Sequence, residues 1–133
     1  TPEVRNTIAA AIKRIAEHTA QAFRATATVV IPEQGYPALS NDPGMTEFAR
    51  ATVIAVFGPD AFVEIEHPSM GAEDFAFYLD RVPGAMLCLG NASAAGAVSP
   101  PLHNARFNFN DDAIPVGVQM FVELAARFLN TGV

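Results

Sequence analysis

The apolar positions at the start of the chain keep a helical period and then change character several times. Val4, Ile8, Ile12 and Ile15 recur at steps of four, four and three, with Arg5, Lys13, Arg14 and Glu17 between them, which predicts an amphipathic helix to about Phe23. Thr1-Pro2-Glu3 suits its beginning: a hydroxyl to cap free N–H groups, a proline at the first helical position and an acid at the positive helix end. Residues 26–31 are rich in β-branched side chains and stop at Pro32, the pattern of a strand near a sheet edge. Prolines, a glycine and the Asn41-Asp42 pair then concentrate in residues 33–43, the best place for a domain junction.

A second helix is expected from about Gly44 to Phe57, stopped by Gly58-Pro59. Residues 62–66 alternate like a half-buried strand, and a short helix is expected from Glu73 to Leu79. Residues 85–89 form a continuous apolar run, which predicts a strand buried on both faces with Cys88 inside it as a small hydrophobe. After a long loop of small residues and prolines, Gly90 to Pro101, a last helix is expected from about Ile114 to Leu129. Helices alternating with strands imply an α/β layered fold.

Composition narrows the function classes. Half of the 133 residues are hydrophobic and 17% are charged, as in a globular chain. Fourteen acids against eight bases give a formal charge of -6 with no basic run, which disfavours nucleic acid and anionic membranes as partners. One cysteine excludes an internal disulfide and fits a reducing compartment, so the expected location is cytoplasmic. The absence of an initiator Met before Thr1 marks the chain as an expected fragment.

Chemistry can be sought at two places. His103 follows Pro100-Pro101-Leu102 in a loop leaving a buried strand, where ligand sites of α/β sheets gather, although a lone loop histidine also reads as a surface residue. A zinc site needs three or four protein ligands, and none of the three histidines is paired at helical spacing, so no complete metal site is legible. His18 reads as a solvated helix residue and His67 as a strand terminus. The second place is Met70-Gly71-Ala72-Glu73-Asp74. There a glycine turn could admit a substrate carboxylate to a helix N-terminus, or the two acids could simply cap that helix.

Four stretches in order, 35–42, 68–79, 82–85 and 102–111, resemble the hippurate hydrolase and N-acyl-amino-acid amidohydrolase group, aminoacylase-like metallopeptidases with two metals. The resemblance covers nearly the whole chain. It implies that residues 1–37 end a ferredoxin-like α+β lid and dimerisation domain, and that residues 38–133 are the last part of a mixed-sheet, helix-flanked catalytic domain. It also implies a full-length enzyme that hydrolyses small N-acyl or N-aroyl amino acids, forms a homodimer through the lid, and uses two divalent ions, zinc or manganese. His103 would be the last metal ligand, Gly71 and Ala72 would line the substrate carboxylate pocket, and Glu73 and Asp74 would orient that turn. The general base, a glutamate, and the other ligands are expected upstream of Thr1, so this chain alone is expected to be inactive and without bound metal. The sequence departs from the family pattern at Arg24, where a helix-ending glycine is common, at Ala72, where serine is common, and at Ala105, where proline is frequent. The alternative class is a non-catalytic α/β binding or dimerisation module.

Overall fold

The computed structural model describes residues 1–32, 35–92 and 99–131. They form two compact units: Thr1–Ser40 with Ser69–Val82, and Asn41–Pro68 with Pro83–Val133. None of their helices is long and apolar enough to cross a membrane.

The first unit is built on helix α1, Pro2–Ala22. Thr1 caps it, its hydroxyl accepting the Val4 N–H at 3.4 Å, and Pro2 stands at the first position. At the other end Ala25 donates to the Ala20 carbonyl at 2.9 Å and Arg24 to that of Gln21 at 3.0 Å. This pair of bonds is the Schellman closure, which needs a left-handed residue, and Arg24 takes that conformation with φ 57°. The position is thus one that favours glycine, as the departure from the family pattern at Arg24 suggests. The apolar stripe forms as the periodicity predicts, yet Val4, Ile8, Ile12 and Ile15 each remain about half exposed, and α1 buries no residue. Its other face, with Arg5, Ala9 and Lys13, borders a groove along Val29 and Ile31. The remainder of the unit centres on Ala76, buried in helix α2 (Ala76–Leu79), with the Tyr36 and Phe77 rings 5.7 Å apart.

The second unit contains α3, Pro43–Phe57, and α4, Ala113–Thr131, which pack on each other. Asp42 caps α3 by accepting the Met45 N–H at 2.9 Å, and Gly58 ends it with φ 95°, leading into a single 3₁₀ turn, Pro59–Ala61. Ala49 and Thr52 are buried on α3, and the Thr52 hydroxyl is satisfied by the Phe48 carbonyl at 2.9 Å. Phe48 meets Phe128 of α4 edge to face, with centroids 6.1 Å apart. Asn41 ties the entry of α3 to a distant segment. Its side-chain amide accepts the Met86 N–H at 2.9 Å and donates to the Met86 carbonyl at 3.1 Å, while the Asp42 N–H reaches the Gly84 carbonyl at 2.9 Å.

All four predicted helices form, within a few residues of their expected ends. The three predicted strands do not: among the described residues, 26–31, 62–66 and 85–89 belong to no ladder. A strand is stable only when neighbours take up its N–H and C=O groups, and the described residues supply no such neighbour. The apolar run 85–89 is correspondingly uncovered. Leu87 and Leu89 are exposed, and Cys88 is exposed rather than buried as the run suggests.

Candidate functional site

His103 stands at the tip of a tight turn. The Asn104 N–H donates to the Pro101 carbonyl at 3.0 Å, and His103, third of the four residues, has φ 70°. The bond and the positive φ are those of a type II turn, whose third position ordinarily takes glycine or asparagine. Histidine tolerates it at a cost of about 1 kcal/mol. A second turn follows directly: the Phe107 N–H donates to the Asn104 carbonyl at 2.9 Å, and the Arg106 N–H to Asn104 Oδ1 at 2.9 Å. The two turns share Asn104, so the backbone on the C-terminal side of His103 is held by side chain and main chain together. The imidazole projects into solvent, since His103 is exposed.

The segment beyond these turns is anchored by two asparagines. Asn91 Oδ1 accepts the Asn110 N–H at 2.8 Å, Asn91 Nδ2 donates to the Asn108 carbonyl at 3.4 Å, and Asn110 Nδ2 donates to the Ala92 carbonyl at 3.3 Å. Asn110 Oδ1 also accepts the Asp112 N–H at 3.1 Å just before α4. Asn110 falls within the 102–111 stretch and Asn91 within none of the four, and the sequence singles out neither. Much of the Gly90–Pro101 loop, residues 93–98, lies outside the described residues.

Gly71 and Ala72 lie in the first unit, and both are exposed. The Gly71 N–H donates to Ser69 Oγ at 3.3 Å. Gly71 does not have a left-handed φ, and a Cβ built on it would meet only Ser69 Oγ, at an ordinary 3.4 Å. The backbone thus does not require glycine there; what glycine adds is open space above the turn. Glu73 accepts the Phe75 N–H through Oε1 at 3.2 Å, a bond to the start of the following helix and not to Gly71 or Ala72. The helix that follows has only four residues, so its dipole adds little attraction for an anion.

The other histidines keep plain roles. His18 Nδ1 donates to the Arg14 carbonyl at 2.8 Å on the exposed face of α1, and His67 lies 4.0 Å from the Glu66 carboxylate with both side chains in solvent. Among the described residues no three His, Cys, Asp or Glu side chains converge on one point. A catalytic metal takes at least three protein ligands. His103, an exposed imidazole on a braced turn, suits one such position, and the described residues do not complete the set.

The sequence matches the family described as peptidase family M20/M25/M40 over residues 2–127. It is 32% identical to an N-acetyldiaminopimelate deacetylase of Pediococcus pentosaceus over 123 residues, 91% of this chain and 30% of that protein. It is 39% identical to a probable hydrolase of Synechocystis sp. over 85 residues, 64% of this chain and 22% of that protein. An IAA-amino acid hydrolase of Arabidopsis thaliana is 29% identical over 94 residues, 71% of this chain and 21% of that protein. The chain therefore spans less than a third of the length of each of these relatives.

Proposed function

The chain belongs to peptidase family M20/M25/M40, and from that membership we propose that the full-length protein hydrolyses the amide bond of small N-acyl or N-aroyl amino acids, with His103 as a ligand of a divalent metal. The observation that carries this reading is His103 itself, kept at φ 70° at the tip of a turn that shares Asn104 with the next. Strained non-glycine backbone persists where the surroundings over-determine it, and such positions gather at functional sites. Relatives named as a deacetylase of N-acetyldiaminopimelate and a hydrolase of IAA-amino acids support an acylated amino acid as the substrate class. Hippurate is the member that the resemblance singles out. Divalent ions, zinc or manganese in this reading, supply Lewis acidity toward a carbonyl oxygen.

The remaining assignments belong to the same proposal. Gly71 and Ala72 line the pocket for the substrate carboxylate, with only Ser69 Oγ near the space above Gly71, and Glu73 and Asp74 orient their turn. Residues 1–37 end a lid domain through which two copies pair, and residues 38–133 form the end of an α/β catalytic domain whose sheet includes 85–89. The general base and the other ligands come from residues preceding Thr1. The test is metal content and hydrolysis of hippurate and N-acetyl amino acids by the full-length protein, beside His103→Ala. Bound metal and activity should both collapse in the variant. A wild-type protein with neither would favour the binding-module alternative.

A further inference from the structure

Resting on that reading of His103, we propose that Asn91 and Asn110 are positioning residues for the His103 imidazole, acting as an amide clamp across the base of its loop. The clamp joins residues 91 and 92 to residues 108 and 110 through three side-chain bonds, the shortest being the 2.8 Å bond from the Asn110 N–H to Asn91 Oδ1. Both asparagines are half-buried, whereas Pro101 to Arg106 are all exposed, so the turns carrying His103 have little packing of their own to fix them. Among the described residues, the bonds that place them are their own and those at the base of the loop. Asn110 serves both sides of that base: it donates to Ala92 and accepts the Asp112 N–H at the entry to α4, coupling the loop to a 19-residue helix. A ligand set tolerates little displacement, and groups that orient a ligand typically change metal affinity by about ten- to a hundredfold when removed.

The experiment measures Co(II) and Mn(II) affinity and the visible cobalt spectrum of the full-length protein carrying Asn91→Ala, Asn91→Asp or Asn110→Ala. Asn41→Ala is the control, because it removes a comparable pair of amide bonds, to Met86, from a segment that does not carry His103. The expected result is about tenfold weaker binding and an altered cobalt spectrum for Asn91→Ala and Asn110→Ala. Asn91→Asp, which keeps an acceptor for the Asn110 N–H, should recover most of the affinity, and this comparison stands even if Asn110→Ala does not fold. Asn41→Ala should lower the melting temperature and leave affinity and spectrum alone. Wild-type binding in Asn91→Ala overturns the proposal, and so does an equal loss in Asn41→Ala, because general loosening would then account for it. His103→Ala, measured alongside, separates the two readings: if it also binds metal normally, the ligand role of His103 is what fails, and if it alone loses metal, only the clamp does.

Discussion

Arg24, at the end of α1, and His103, at the tip of the turn 101–104, both hold a left-handed backbone, with φ of 57° and 70°. Their surroundings differ. Arg24 is exposed and closes a helix, a task that any residue able to reach the conformation can perform and that glycine performs without strain. His103 lies inside one bonded turn that shares Asn104 with a second, in a segment whose far end is bonded through the amides of Asn91 and Asn110. A positive φ therefore does not mark a functional residue by itself. What separates the two is how much neighbouring structure exists to hold the strained residue in place.

The sharpest way to break this comparison is to put glycine at both positions of the full-length protein. His103→Gly should abolish metal binding and hydrolysis while keeping the fold, and should be more stable than His103→Ala by about 1 kcal/mol, because alanine retains the strain that glycine relaxes. Denaturant midpoints of the two inactive variants check this. Arg24→Gly should raise stability by about 1 kcal/mol and leave activity unchanged. A stability loss there would show that the Arg24 side chain, and not the backbone closure, holds the end of α1.

Gly71→Ala sharpens the contrast from the other side. With no left-handed φ and no close neighbour to meet, the change should alter stability by less than about 0.5 kcal/mol. Any rise in KM for an acylated amino acid then reports substrate approach rather than folding, and an unchanged KM would remove Gly71 from the substrate pocket. The smallest effect is expected at Glu47, whose carboxylate takes two 2.8 Å hydrogen bonds from Arg50. Hydrogen bonding from Arg50, with its charge a lesser cause, holds the Glu47 carboxyl below its ordinary 4.5. The contribution to stability is present above 4.5 and fades as pH falls through the lower folded value. Glu47→Gln should therefore melt slightly below wild type at neutral pH and level with it in acid, an exposed pair being weak throughout.

The helices were legible because their signals are local. Thr1 and Asp42 as caps, Pro2 and Pro43 at first positions, and the steps between Val4, Ile8, Ile12 and Ile15 depend only on residues within a turn or two of one another. Gly58 ends α3 for the same reason. The runs at 26–31, 62–66 and 85–89 carry equally clear strand composition, yet composition cannot supply the hydrogen-bonding neighbour that a strand needs. Cys88 shows the consequence: an apolar run says that burial is wanted, and only a covering layer makes it happen. His103 was legible as a candidate, as was the tendency of the Arg24 position toward glycine. The amide clamp was not, because Asn91 and Asn110 are 19 residues apart and an asparagine in a loop looks the same whether it faces water or a distant N–H.

The sequence alone determined where the helices start and stop, which face of α1 is apolar, and which histidine stands in a loop stiffened by prolines. Each follows from propensities and periods set by near neighbours along the chain. Tertiary structure decided which apolar positions are covered, that Asn41 pairs with Met86 and Asn91 with Asn110, and that His103 adopts a backbone that glycine would prefer. The covering and the two asparagine pairings depend on contacts between residues far apart in the chain, whose free energy exists only once the chain has closed the loops between them. The His103 backbone, by contrast, belongs to a four-residue turn that its composition does not favour.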